Sequence, residues 1–272
     1  MAQWFRVEVD GAVHAARRSG GDGPIELMAG ANILDPQGST GKTVALQEVR
    51  LLAPVTPSKY IGLWNNFREL AAKLGQPIPP EPLYFLKAPS SFSNPYDAIR
   101  KPVSYDGKVV YEGELGIVIG SRCKDITEDQ AESAIFGFTC TNDVTAIDLI
   151  SRDATFAQWA RAKSCDTFGP IGPAVVQGVD WRGFRVRTVV GGRERQNFAL
   201  TDMVFTPTQI VSLLSREMTL MPGDIISCGT SLGVLPMRPN TTVEVMIDGI
   251  GSLVNTFEPT EAALEVASQT AQ

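Results

Sequence analysis

The segment YEGELGIVIG, residues 111–120, places two glutamates at the start of a long apolar run. Because side chains alternate between the two faces of a strand, Glu112 and Glu114 project from the same face, roughly 7 Å apart. Two like charges at that spacing repel by about 2–3 kcal/mol at an effective dielectric constant near 20. The pair therefore predicts either a polar strand end in open water or an enclosed site that must contain positive charge.

Strand-like segments make up much of the chain. The segment WFRVEVDGAVHAARR alternates apolar and polar residues around Asp10 and Gly11, which is typical of a β-hairpin with a two-residue turn. Further strands are predicted in SKYIGLWNN, near residues 83–88, at 109–120, and in the C-terminal segments GDIISCG, TTVEVMID and GSLVNTF.

Helices are predicted at four places: NFRELAAKLG, ending at Gly75; 127–136, with a capping box of Thr127 and Gln130; 152–162; and Pro207–Glu217. From Pro259 the polar, alanine-rich tail predicts a surface helix or a frayed end. Many strands with a few interspersed helices predict an α+β fold that is mostly β. We expect residues 1–55 to form a small N-terminal β-rich domain and residues 56–272 a larger one.

Composition excludes several classes of function. The net charge is −6 and no Lys/Arg-rich run occurs, so we expect no nucleic-acid partner. No apolar stretch reaches eighteen residues, so no membrane span is predicted. The N-terminus lacks the pattern of a secretory signal, and the four cysteines contain no CxxC pair. These features predict reduced thiols and a cytoplasmic location.

Two familiar kinds of site find little support. STGKT, residues 39–43, has Pro36 where a phosphate-binding loop needs its first glycine, so a surface turn is predicted. The only histidine, His14, lies in the first hairpin. Ser-His-Asp, Cys-His and His/Cys zinc sites are therefore unsupported.

Carboxylate oxygens could form another kind of site, one that binds a divalent cation. The segment GFTCTNDVTAIDL reads as an apolar strand that ends at Asn142-Asp143. Asp143 with Glu112 and Glu114 would give three hard carboxylate ligands, a set that suits Mg²⁺ or Mn²⁺. From spacing alone, a solvated acidic rim is the alternative.

Five segments in a fixed order resemble the fumarylacetoacetate hydrolase family, whose members act on 2-oxo acids and acylpyruvates. They are YEGELGIVIG, GFTCTNDVTAIDL, QWARAKSCDTFGPIGP, GDIISCGTSLGV and VEVMIDGIGSLVN, and the resemblance runs from about Lys59 to Phe257. It implies a catalytic domain of mixed β-sheets rolled around the site, commonly in a homodimer. It also implies a divalent metal, Mg²⁺ or Mn²⁺, held by Glu112, Glu114 and Asp143.

The same resemblance implies roles for four other residues. Lys163 matches a family lysine that stabilises the negative charge of an enolate, although Ala162 replaces the usual glycine before it. Thr230 matches a threonine that meets a substrate carboxylate. Gln158 and Gly229 are implied to contact the substrate.

One family pattern is missing. Members that hydrolyse C–C bonds carry N-Y-x-x-H-x-x-E, whereas this chain has NFRELAAK, with Leu70 and Lys73 in place of the histidine and glutamate. The residues that activate water are thus absent. Glu69, or Glu81 in the Pro-rich connector that follows, is a candidate replacement base, and residues 66–82 are predicted to form a lid.

These features predict a metal-dependent enzyme acting on small 2-oxo acids, by decarboxylation or enol–keto isomerisation through a metal-bound enolate. One alternative is a C–C bond hydrolase of acylpyruvate or fumarylacetoacetate type. Another is a non-catalytic protein that binds a metal and a 2-oxo acid.

Overall fold

The structure is a computed structural model that describes residues 1–258. Nineteen strands occur in this part of the chain. They are β1 (Ala2–Val9), β2 (Ala12–Arg18), β3 (Ile25–Met28), β4 (Ser39–Val44), β5 (Arg50–Leu52), β6 (Tyr60–Trp64), β7 (Leu83–Lys87), β8 (Phe92–Ser93), β9 (Ala98–Arg100), β10 (Val109–Val110), β11 (Gly113–Ile119), β12 (Ile135–Asn142), β13 (Thr145–Ala146), β14 (Gly169–Gln177), β15 (Arg185–Val190), β16 (Arg193–Ala199), β17 (Ile225–Ser227), β18 (Thr241–Ile247) and β19 (Gly251–Glu258).

Helices are fewer and shorter over the same residues. The α-helices are α1 (Arg68–Leu74), α2 (Glu128–Ala134), α3 (Ile147–Ile150), α4 (Trp159–Lys163) and α5 (Pro207–Glu217). Short 3-10 turns occur at Leu46–Glu48, Pro89–Ser91, Trp181–Gly183 and Leu200–Asp202. The predicted α+β, mostly β fold is confirmed.

A large mixed sheet forms the centre of the molecule. Its main path is β4-β3-β2-β1-β14-β12-β11-β17-β6-β7, with β5 beside β1 and β8 beside β14. A second sheet has the order β16-β15-β18-β19-β9, and β10 pairs with β13. Most neighbours are antiparallel, while β17–β6, β14–β8 and β19–β9 are parallel.

The central strand β11 separates two apolar cores. Leu115, Ile117 and Ile119 belong to a core that also contains Val245 and Leu253 of the second sheet. The alternate residue Val118 packs instead in another core with Tyr60, Ile171 and Ile225. Glu114 alternates with Leu115 and so shares a face with Val118, which places its carboxylate inside the protein.

Local rules explain the confirmed boundaries. Asp10 and Gly11 have φ values of 50° and 78°, and positive φ at both turn residues is what a type I′ hairpin turn requires. Helix α1 stops at Gly75, which is left-handed with φ of 64°. Thr127 and Gln130 form the predicted capping box of α2.

One local prediction is confirmed only in part and another is wrong. The short helix predicted near 152–162 exists but is confined to α4, because the Asp153 side chain accepts hydrogen bonds from the amide and hydroxyl of Thr155 and thereby holds a turn. STGKT is not a surface turn but lies in the exposed strand β4, which pairs with β3. The proposed tail element from Pro259 lies outside the described residues.

The N-terminal strands continue the large sheet. β1 pairs with β14 through Ala2–Gln177, Gln3–Val176 and Trp4–Val175. The domain division at residue 55 and the homodimer stay predictions. None of the helices in residues 1–258 is long and apolar enough to span a membrane.

Candidate active site

Three carboxylates meet where β11 begins and β12 ends. Gly113 pairs with Asn142 across the two antiparallel strands, and the Asp143 amide donates to the Glu112 carbonyl at 2.9 Å. This register brings one oxygen each of Glu112, Glu114 and Asp143 within 4.8 Å of one another. All three side chains are buried, so the solvated-rim alternative does not describe this structure. We call Glu112, Glu114 and Asp143 the acid trio.

Two buried lysines supply positive charge to the acid trio. The Lys163 Nζ atom lies 2.9 Å from Glu112 Oε2 and 2.6 Å from Asp143 Oδ2. On the other side, Lys87 Nζ lies 2.5 Å from Asp143 Oδ1 and donates to the Val144 carbonyl at 3.2 Å. Asp143 is thus held between two ammonium groups, and three carboxylates face two cations.

The pKa values of these groups follow from burial and from this arrangement. Burial raises the pKa of Glu112 and raises that of Glu114 well above its ordinary value, where the charges of Asp143 and Glu112 add to the effect. Burial also acts to raise the pKa of Asp143, but Lys163 and Lys87 outweigh it and the net shift is downward. Burial lowers the pKa of Lys87, whereas the three carboxylates overcome burial at Lys163 and raise its pKa.

Glu114 is held by one of its two oxygens. Oε2 accepts hydrogen bonds from Ser227 Oγ at 2.6 Å and from the Gly229 amide at 2.8 Å. Oε1 is buried and has no hydrogen-bond partner in the structure. A buried carboxylate oxygen without a donor is costly unless a cation meets it. This unpartnered oxygen, in a set of three carboxylates, fits a hard divalent cation such as Mg²⁺ or Mn²⁺.

Glu112 is fixed in a similar way. Its Oε1 accepts from Thr145 Oγ1 at 2.8 Å, and its amide donates to Asn142 Oδ1 at 3.0 Å. Asn142 of the Asn-Asp pair therefore orients the backbone of the acid trio, while Asp143 provides the carboxylate.

Lys87 was not among the residues predicted from sequence. The signal that could have found it is the segment LYFLK, which reads as a strand that carries a lysine two residues after a buried phenylalanine. Phe85 and Lys87 share a strand face, so a charged group there enters the same buried environment. Its partner, Asp143, lies 56 residues away in sequence.

Thr230 and Gly229 lie beside the acid trio, but their hydrogen bonds are already used. Thr230 Oγ1 donates to the Gly113 carbonyl at 3.0 Å and accepts from Gln196 Nε2 at 2.8 Å. Gly229 gives its amide to Glu114. In this structure both residues stabilise the start of β11 through these hydrogen bonds. Their contact with a substrate stays a prediction.

Gln158 is not brought to the acid trio. It occupies the N-cap position of α4 without a side-chain capping bond, and its Oε1 accepts from the Arg161 side chain at 2.9 Å, whereas Lys163 lies at the other end of this helix. Its role as a substrate contact stays a prediction.

The residues proposed as replacement bases are exposed to solvent. Glu69 is exposed on α1, and its amide donates to Asp202 Oδ2 at 3.0 Å. Glu81 is also exposed. Leu70, at the position of the family histidine, packs against the core shared by the two sheets, and Lys73 is exposed. Within the described residues, no hydrogen bond or ion pair connects Glu69 or Glu81 to the acid trio.

The fold and this site define a mostly β protein with a buried carboxylate centre suited to a divalent cation. The chain belongs to the fumarylacetoacetate hydrolase family, because the model of the fumarylacetoacetate (FAA) hydrolase C-terminal region matches residues 59–258.

Individual relatives agree with this assignment. Protein Rv2993c of Mycobacterium tuberculosis is 40% identical over 238 residues, which cover 85% of this chain and 88% of that protein. The crystal structure of 2-hydroxyhepta-2,4-diene-1,7-dioate isomerase from Mycobacterium marinum matches with a TM-score of 0.86 and 35% identity, covering 96% of this chain and 100% of that one. Fumarylacetoacetate hydrolase from psychrophilic Exiguobacterium antarcticum matches with a TM-score of 0.85 and 30% identity, covering 95% and 100%.

Proposed function

We propose that this protein is a divalent-metal-dependent enzyme that decarboxylates or isomerises small 2-oxo acids. The observation that carries the proposal is the buried acid trio with Lys163 bound to two of its members, Glu112 and Asp143. In one buried site, carboxylates would bind a metal ion and an ammonium group would supply positive charge. Both would stabilise negative charge that develops on a substrate oxygen during the reaction.

Glu112, Glu114 and Asp143 would hold the metal, Mg²⁺ or Mn²⁺. When bound, such an ion acts as a Lewis acid that polarises the carbonyl of a 2-oxo acid. The unpartnered Oε1 of Glu114 and the three-carboxylate donor set support this assignment.

Lys163 would contribute positive charge and hydrogen bonds. Because the carboxylates raise its pKa, Lys163 keeps its proton at neutral pH in the metal-free protein. A protonated lysine within a buried site stabilises developing negative charge on a substrate, which decarboxylation and enol–keto isomerisation both require. Lys87 would fix the position of Asp143 from the opposite side.

Hydrolysis needs an additional group that activates water. Leu70 is packed against the apolar core, and Glu69 is exposed and has no hydrogen bond to the acid trio in the described residues. This favours decarboxylation or isomerisation over C–C bond hydrolysis. The similarity to the fumarylacetoacetate hydrolase of Exiguobacterium antarcticum supports C–C bond hydrolysis as the second candidate function. The missing histidine and glutamate also fit a non-catalytic binder of a 2-oxo acid.

Proton exchange separates an enzyme from a binder. Pyruvate, oxaloacetate and phenylpyruvate are incubated in deuterated water with protein and Mg²⁺ or Mn²⁺, and exchange at C3 is followed by NMR. We expect exchange that needs both protein and metal and that falls in Glu114→Gln, while Glu132→Gln, an exposed glutamate on α2, behaves as wild type. Exchange that never exceeds the protein-free rate with any of these acids would refute the proposed activity.

A further inference from the structure

Three aromatic side chains extend outward from the lysine and the acid trio. Lys163 Nζ lies 4.8 Å from the centroid of the Phe85 ring. Trp159 stacks on Phe85, with centroids 5.7 Å apart and an interplanar angle of 14°. Trp64 contacts Trp159 at 5.1 Å and 46°. We call Phe85, Trp159 and Trp64 the aromatic wall.

The aromatic wall is continuous with the acid trio. Gly62 lies between the two, because a Cβ atom at that position would be 2.5 Å from Phe85 Cζ and 3.4 Å from Asp143 Oδ2. The glycine therefore lets the Phe85 ring approach the carboxylate closely. The Phe85 ring therefore lies beside the acid trio, and the other two rings of the aromatic wall lead away from it.

The wall opens toward solvent. Phe85 is buried, whereas Trp64 and Trp159 are only half-buried. A groove beside Phe85 and Trp159 continues to Phe156, which exposes 70% of its surface. A phenylalanine this exposed, at the end of a row of aromatic rings, extends the apolar surface away from the acid trio.

Few positive charges near the aromatic wall are free to bind a second substrate carboxylate. Lys87 and Lys163 are both engaged by the acid trio. Among the described residues that line the groove, the one cation is Arg161, which is exposed and donates to Gln158 Oε1. An aryl or bulky apolar group gains from burial against aromatic rings, whereas a carboxylate loses hydration there without a buried partner.

We propose that the aromatic wall is a subsite for the aryl or bulky apolar substituent of a 2-oxo acid. The inference rests on the proposed function, since it needs the 2-oxo acid head group at the acid trio. It adds the class of substrate: a monocarboxylic 2-oxo acid with an aromatic or large apolar tail is preferred to a 2-oxo dicarboxylate. For such an acid the proposed reaction is enol–keto isomerisation, because decarboxylation through an enolate requires a second carboxylate on the carbon next to the carbonyl.

The test compares three probes by isothermal titration calorimetry at saturating Mg²⁺. Oxalate reports the head-group site alone, phenylpyruvate adds an aromatic ring, and 2-oxoglutarate adds a second carboxylate that is not lost through an enolate. We expect wild type to bind phenylpyruvate about tenfold more tightly than 2-oxoglutarate, as ring–ring contacts allow. Trp64→Ala and Trp159→Ala should each reduce that preference several-fold and leave oxalate affinity unchanged.

Trp4 on β1 provides the matched control, since it is also a half-buried tryptophan but pairs with Gln177 far along the sheet from the wall. Trp4→Ala should leave all three affinities unchanged. Thermal unfolding of each variant checks the fold, and Trp64→Leu replaces Trp64→Ala if the latter unfolds.

The outcomes separate the two proposals. If oxalate binds but 2-oxoglutarate binds as tightly as phenylpyruvate, Arg161 or another group accepts the second carboxylate and the aromatic subsite is wrong, while the proposed function stands. An unchanged preference in both tryptophan variants also overturns the subsite. If oxalate fails to bind wild type in Mg²⁺, the proposed function is wrong and the subsite falls with it.

Discussion

Lys87 and Asp143 form an ion pair of 2.5 Å whose two side chains are both fully enclosed. Buried charges are costly to desolvate, and such a pair repays the cost only when each member is fully satisfied. Here Asp143 has a second cation, Lys163, and Lys87 has a second acceptor, the Val144 carbonyl. The pair therefore anchors the end of β7 to the loop that follows β12, next to the proposed metal ligands.

Removal of Lys87 should destabilise the protein. Lys87→Met leaves Asp143 with one cation instead of two, and breaking a buried pair in this way costs about 3–5 kcal/mol. Lys124→Met is the control, because Lys124 pairs with Asp125 at the surface and such pairs contribute about 1 kcal/mol or less. Urea denaturation of the metal-free proteins measures both free energies of unfolding. Similar small losses in the two variants would contradict the importance of the buried pair.

Glu114→Gln should weaken metal binding. The change removes a charged ligand whose Oε1 has no other partner, so the loss should exceed the roughly 10–100-fold typical of groups that only support a ligand. Calorimetric titration with Mn²⁺ gives the dissociation constants, and thermal unfolding provides a second measure. At a hundredfold excess of metal over its dissociation constant, wild type should gain about 2.7 kcal/mol of stability. Glu132→Gln should match wild type, and wild-type affinity in Glu114→Gln would exclude this ligand.

Stability of the metal-free protein should fall as pH rises. The pKa of Glu114 is raised in the folded state, mainly by burial, so the folded protein binds this proton more tightly than the unfolded chain does. That contribution is complete below the ordinary pKa of glutamate and is lost as pH rises through the folded-state value. The raised pKa of Glu112 likewise makes the protein less stable as pH rises. The lowered pKa of Asp143 has the opposite effect, because its contribution to stability is lost only when pH falls into the acid range.

Urea denaturation in a chelator between about pH 5 and about pH 8 measures this dependence. Glu114→Gln is neutral throughout and should lose less stability over the interval than wild type. Metal binding requires ionised carboxylates, so saturating Mg²⁺ should reduce or reverse the decline. A wild-type curve parallel to that of Glu114→Gln would show that the Glu114 proton is not responsible.

Features of the fold that follow from short-range rules could be predicted from the sequence. The Asp10-Gly11 turn, the Thr127 cap and the glycine at the end of α1 depend on residues within four positions of one another. The acid trio was predictable because strand alternation and the Asn142-Asp143 strand end place the carboxylates, with the family resemblance selecting the enclosed alternative.

Other features depend on contacts between distant segments. β14 was not predicted, and its prolines, including Pro173, argue against a strand within a sheet, yet β1, β12 and β8 all pair with it. Lys87 meets Asp143 only because β7 joins the sheet beside β6. The aromatic wall likewise joins β6, β7 and α4, whose relative placement no local pattern encodes.

Lys163→Ala should impair turnover more than binding. Because Lys163 keeps its proton, its proposed contribution is to stabilise charge that develops during reaction, and such losses reduce kcat. Calorimetry with oxalate and Mg²⁺ measures binding, and C3 exchange measures turnover, with thermal unfolding to check the fold. A loss confined to oxalate affinity, with the exchange rate at saturation unchanged, would assign Lys163 to binding alone.

The reaction class should follow from the missing water-activating residues. Leu70 and Lys73 stand where the family hydrolases carry histidine and glutamate, and Leu70 lies against the apolar core. A positioned general base contributes about 10²- to 10⁴-fold, so its absence should suppress hydrolysis of acylpyruvates by a comparable factor. Decarboxylation does not need that base, because carbon dioxide leaves as electrons move toward the polarised carbonyl and Lys163 stabilises the resulting charge.

The assay compares loss of acetylpyruvate with decarboxylation of oxaloacetate and C3 exchange of phenylpyruvate, in Mg²⁺ and in Mn²⁺. Efficient acetylpyruvate hydrolysis with negligible decarboxylation and exchange would make C–C hydrolysis the function and would require Glu69 or Glu81 to reach the site by movement of residues 66–82.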